Sequence, residues 1–262
     1  MTEGKVRDMT LGRAGMGKCF LSMWALLAKC SIYKILAVLL VMVLAEGVVF
    51  SMTLGGFCVN GELGAGISEG MEIGALYRVF ENRGFYPIFV AASGFVYFIL
   101  VWTQRRLENE NGVALQRFRM SWKGFYIIKA VYNVLCLLLL FAVQVWAMFG
   151  MLWIFRWEAG MGQTGGQLYL YAFYGVRFLH CLLPVADVGK WLRNLLLVAA
   201  LAMTAARQGQ KKMAVFLFGL SISWFVSDMG INVIDILSGI VYACIILEGI
   251  LYLAPKKKVL EN

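Results

Sequence analysis

Residues 35–53 read ILAVLLVMVLAEGVVFSMT, and residues 134–155 read VLCLLLLFAVQVWAMFGMLWIF. Each run approaches the roughly 20 apolar residues that carry a helix across a hydrocarbon core of about 30 Å. In lipid every backbone N–H and C=O must be satisfied within its own segment, so runs of this kind form helices. Working outward, apolar stretches cover 32–53, 85–102, 124–155, 191–206, 213–227 and 231–254. The expected fold is all-α: a polytopic helical membrane protein of about six transmembrane helices, forming a single transmembrane domain over 1–262.

Composition agrees. Of 262 residues, 61% are hydrophobic, 15% are charged and three are proline. Soluble domains carry roughly 25% charged residues. The net charge of +9 could suggest nucleic acid, but no basic, aromatic-interleaved soluble surface is present to bind it, and no nucleic-acid partner is expected. Lys and Arg instead collect in four gaps, at 1–31, 103–123, 207–212 and 255–262, which together hold 16 of the 24 basic residues. Cytoplasmic loops carry such an excess because it sets insertion and suits anionic head groups. The expected location is thus the cell membrane, with both termini cytoplasmic. About 30 mostly non-apolar residues precede the first strong run and no small-residue cleavage site follows it closely, so the first span is expected to be retained as an anchor. Residues 14–28 could lie along the membrane as an amphipathic helix.

Two gaps are expected outside. Residues 54–84 are Gly-rich, with Glu62, Glu69, Glu72 and Glu81 set against Arg78 and Arg83. Within 156–190, residues 168–183 are apolar enough for a seventh span, but counting them would place six basic residues (Arg207, Lys211, Lys212 and Lys256 to Lys258) outside. Their aromatics, Tyr169, Tyr171, Tyr174 and Phe178, suit a membrane–water boundary, and Arg177 and His180 share a helix face. An external interfacial or re-entrant helix is the preferred reading. Cys58 and Cys181 would then both lie outside, either bonded or as free thiols.

No recognisable catalytic constellation is present. Residues 12–19, GRAGMGKC, nearly match the phosphate loop GxxxxGK[ST], but Cys19 lacks the hydroxyl that holds Mg²⁺ and no strand precedes the stretch. The single histidine, His180, excludes HExxH zinc chemistry, and the scattered cysteines form no CxxC pair, so no metal site and no cofactor are expected. Attention falls on polar residues inside apolar runs. Glu46, in the first span, and Glu248, in the last, are carboxylates where ionisation is costly, and such residues face protein or water. They are candidates for a translocation path, or else for hydrogen-bonded packing. Gln144, in mid-span, is a further path candidate or an interhelical hydrogen-bond partner. Asp228 and Asp235 flank the expected outer turn before the last span.

The 103–123 connection is the sharpest local signal. Asn109-Glu110-Asn111-Gly112 forms a turn, and 113–120 can form a short helix with Val113, Leu115 and Phe118 available for burial and Gln116, Arg117 and Arg119 polar. Such a helix can dock in a groove on a cytoplasmic partner, or the loop can simply face lipid head groups.

With six spans, both termini inside and the stretch Leu115-Gln116-Arg117-Phe118-Arg119-Met120-Ser121-Trp122 entering a long third span, the chain resembles a permease subunit of an ABC-2-type ABC transporter. The resemblance implies an ATP-driven membrane exporter in which this chain forms the path, dimerises with a second permease subunit, and docks a separate cytoplasmic ATPase that binds the ATP. The docking residues it implies are Val113, Leu115, Arg117, Phe118 and Arg119; the path residues would be Glu46, Gln144 and Glu248. The large segment after span three and the tight hairpin before the last span depart from that pattern. The alternative class is a non-transporting membrane scaffold or assembly factor that holds a partner through its external segments.

Overall fold

The computed structural model describes residues 3–59, 69–81, 84–110, 122–158, 166–184, 187–207 and 233–253. Among these, all regular structure is helical. The helices are α1 (Glu3–Val59), α2 (Glu69–Phe80), α3 (Phe85–Glu110), α4 (Trp122–Glu158), α5 (Gly166–Gly175), α6 (Arg177–Leu182), α7 (Val188–Ala206) and α8 (Val233–Leu253).

Four helical stretches among the described residues are long and apolar enough to cross a membrane: Leu21–Gly56, Gly74–Leu107, Lys123–Glu158 and Val188–Ala206. Their lateral surfaces fit lipid. On α1, Leu36, Leu40, Leu44 and Val48 recur every fourth residue and are exposed, and Trp146 on α4 is 76% exposed. The opposite stripe of α1, Ile35, Leu39, Met42, Glu46 and Phe50, is buried. These are the spacings that put residues on one helical face, and they turn Glu46 inward.

Side-chain pairs fix the direction of each helix. Ser31 meets Tyr132, and Glu46 meets Gln144, so α1 and α4 run in the same direction. Gln104 meets Asn133 and Phe89 meets Phe141, so α3 runs against α4. On α7, Thr204 and the Ala202 carbonyl meet Tyr97 and Asn133, while Asn194 meets the Cys181 carbonyl. One end of the bundle therefore gathers Lys29, Lys34, Arg105, Arg106, Lys123 and Arg207, and is called here the basic end. At the far end lie α2, α5 and α6.

The segment expected as an external loop, 54–84, is helical at both margins. Helix α1 continues to Val59, and α2 buries Leu76, Val79 and Phe80. Phe80 packs on Phe50, Phe85 and Phe155, and Phe178 on Phe85 and Phe89. Helices in lipid gain little from apolar burial against each other, so fitted rings and hydrogen bonds carry their association. At 57 residues α1 is about 85 Å long at 1.5 Å per residue. Residues 14–28 are thus part of one continuous helix with the first span and are not set off as a separate surface helix. Residues 12–19 are helical too, which commits their amides to the helix and leaves no phosphate-cradling loop.

Residues 168–183 do not cross the bundle. They form α5 and α6, of 10 and 6 residues, broken at Val176, and about 20 are needed to span. Pro184 follows and blocks continuation. Because α4 ends and α7 begins at the far end, the chain between them returns to the side it left. His180 Nδ1 reaches the Phe173 carbonyl at 3.2 Å and its ring stands edge-on to Tyr174, so it fastens α6 to α5. Cys181 and Cys136 are buried, and neither forms a disulfide among the described residues.

Helix α5 leans closely on α2: a Cβ at Gly175 would collide with the ring and hydroxyl of Tyr77. Gly175→Ala is expected to destabilise the protein by about 1–3 kcal/mol, the usual cost of overpacking. Adding Tyr77→Ala should recover part of that loss, as read from unfolding midpoints in detergent.

Candidate functional site

The bundle interior holds a seam of polar side chains. At the basic end the Ser31 hydroxyl lies 2.6 Å from the Tyr132 hydroxyl and donates to the Leu27 carbonyl at 2.8 Å. Next, Gln104 Nε2 donates to Asn133 Oδ1 at 2.6 Å, and Asn133 Nδ2 donates to the Ala202 carbonyl at 3.1 Å, tying α3, α4 and α7 together. Tyr97 donates to Thr204 Oγ1 at 3.3 Å. Lys129 is buried, with its ammonium 4.3 Å from the centre of the Phe125 ring, a cation–π distance.

Deeper in the bundle, Gln144 Nε2 donates to Glu46 Oε1 at 2.8 Å. Both residues are fully buried. Glu46 Oε2 and Gln144 Oε1 have no hydrogen-bond partner among the described residues. Glu46 lies ten residues before Gly56, or about 15 Å along α1, well inside the apolar stretch. The same helix turns border an apolar groove of about 600 Å³ between α1 and α4, lined by Val43, Gly47, Phe50, Trp146, Gly150 and Trp153 among others.

The structure thus joins two of the three expected path residues. Glu248 stands apart at the basic end, 47% exposed and paired with Arg207 at 3.0 Å. The docking candidates Val113, Leu115, Arg117, Phe118 and Arg119 lie outside the described residues, as do Asp228 and the expected span 213–227. Asp235, expected in a turn, sits in the first turn of α8 and is ion-paired with Arg193. Sequence reasoning passed over that Arg193, along with Ser31, Gln104, Lys129 and Asn133. Their common signal is a lone polar residue on the inward stripe of an apolar helix. Among the described residues no group of His, Cys, Asp or Glu is placed to hold a metal ion.

Comparison with protein-family models, with curated proteins and with solved structures gives no match. Fold and site together therefore define the class from this chain alone: a helical membrane protein whose interior contains a buried carboxyl–amide pair.

Proposed function

We propose that the chain is the permease subunit of an ATP-driven membrane exporter of the ABC-2 type, residing in the cell membrane with six spans and both termini cytoplasmic. The observation that carries this reading is the Glu46–Gln144 pair. A carboxyl group at bilayer depth with an unpartnered oxygen is expensive to maintain, and such groups mark pathways. A bundle that served only as a scaffold would be better served by apolar residues there.

The helix directions support the six spans. Arg193 with Asp235 and Arg207 with Glu248 make α7 and α8 parallel. Arg207 and Val233 are therefore at opposite ends, as a crossing by the expected span 213–227 would require. Counting that crossing, the chain would cross six times in alternating directions, with its first and last helices meeting the basic end. Excess Lys and Arg makes that end cytoplasmic.

Helix α3 ends and α4 begins at the same basic end. This is where a cytoplasmic ATPase would dock, with Phe118 in a pocket and Arg117 and Arg119 against an acidic rim. A second permease subunit would complete the path, and ATP would bind only to the partner. The combined substitution Arg117→Ala and Phe118→Asp is expected to abolish co-purification of the ATPase while leaving insertion unchanged. Unaltered co-purification would remove the docking assignment.

A further inference from the structure

We propose that Glu46 is a proton-binding site, held as a neutral carboxylic acid in a cyclic pair with the Gln144 amide. The inference does not depend on the ATP-driven reading. It rests on the complementarity of the groups that the pair leaves open.

With an ionised Glu46, the pair would contain one hydrogen bond, from Gln144 Nε2 to Glu46 Oε1, and two buried oxygens without a donor. One of those oxygens would share a full negative charge. Buried acceptors without donors are rare because each forfeits its hydration. A single proton changes the count. Bound to Glu46 Oε2, it turns that oxygen into a donor, and the nearest open acceptor in the pair is Gln144 Oε1. The existing bond already brings the two groups together, and a second bond between the open oxygens would close a ring in which acid and amide each give and accept once. The bond that forms is Oε2–H; the proton comes from hydronium of the bathing solution, which is left as water, with no other change in either residue.

The surroundings favour the neutral form. Among the described residues no Lys, Arg or His forms an ion pair with Glu46. The buried side chains one turn away along both helices are apolar: Met42 and Phe50 on α1, and Leu140 and Met148 on α4. A charge here would lack both water and a counter-ion. The site as built is therefore no counter-charge for a cationic substrate; its ligand is the proton itself.

Infrared spectroscopy of the full-length protein in lipid vesicles at neutral pH tests the assignment. A protonated carboxyl shows a C=O band outside the amide and carboxylate bands. Wild type minus Glu46→Gln should contain that band, it should shift in D₂O, and Gln144→Leu should move it without abolishing it, since the acid remains but its ring is lost. Should Glu46→Gln fail to insert, the Gln144→Leu comparison carries the test alone. A difference spectrum that loses a carboxylate band instead, or a carboxylic-acid band that Gln144→Leu leaves in place, would overturn the proposal.

Discussion

Replacing Arg193 by Ala is expected to lower the stability of the protein by about 3–5 kcal/mol, the usual cost of removing one partner from a buried ion pair. Arg193 is 3% exposed and Asp235 10%, and the two join α7 to α8 across 42 residues of sequence. Asp235 Oδ2 already has no partner among the described residues, so losing the guanidinium would strand the whole carboxylate. The damage would spread. Arg193 also donates to Asn194 Oδ1 at 3.1 Å, and Asn194 Nδ2 donates to the Cys181 carbonyl at 2.9 Å. The same guanidinium thus orients the amide that anchors the end of α6. Arg193→Lys should be intermediate, since an ammonium keeps the charge but cannot address Asp235 Oδ1 and Asn194 Oδ1 together in the fixed geometry of a guanidinium. Arg193→Ala combined with Asp235→Ala should recover most of the loss, because no uncompensated charge is left. Detergent-solubilised protein unfolded by denaturant, followed by tryptophan fluorescence, gives all three values.

The second large effect belongs to the Glu46–Gln144 pair, and its sign should depend on how many partners are removed. Gln144→Leu leaves Glu46 without its donor and should cost about 1–3 kcal/mol, the desolvation penalty of a buried group left unsatisfied. Glu46→Leu leaves the Gln144 amide unmatched and should cost a similar amount. Together, Glu46→Leu and Gln144→Leu should be nearly neutral or stabilising, because two apolar side chains of similar size replace both partners at once and no buried polar group is left unsatisfied. The coupling between the two sites would then be large and opposite in sign to the single losses.

Much of this fold could be read from apolar length and charge sidedness. Helix α3 begins at Phe85, where the apolar run begins, and the surplus of Lys and Arg after 206 argued against a crossing at 168–183; the short helices α5 and α6 agree with that. Where helices start was less legible. Residues 3–31 contain no proline, so nothing local halts α1, and it runs on well past the membrane-length segment. Likewise the acidic stretch 69–80 read as loop because its charges dominate, whereas Leu76, Val79 and Phe80 fall on one helical face and find a packing partner in Phe50.

The site was legible in pieces. Glu46 and Gln144 each stood out as polar residues in apolar runs. Their pairing depends on α1 and α4 running side by side in the same direction, and no local pattern encodes which helices become neighbours. Arg193 escaped notice because it lies near the start of its apolar run and resembles one of the Lys and Arg residues that end spans. Only its contact with Asp235 reveals that it is an internal strut.

The central claim is that the Glu46–Gln144 pair is retained for function and not for the stability of the bundle. The double variant Glu46→Leu with Gln144→Leu separates the two. Expressed in native membranes in place of the wild-type chain, it should insert, match or exceed wild-type stability, and fail to restore the cellular activity lost when the chain is deleted. A stable double variant that restores that activity in full would contradict the account and leave the chain as a scaffold.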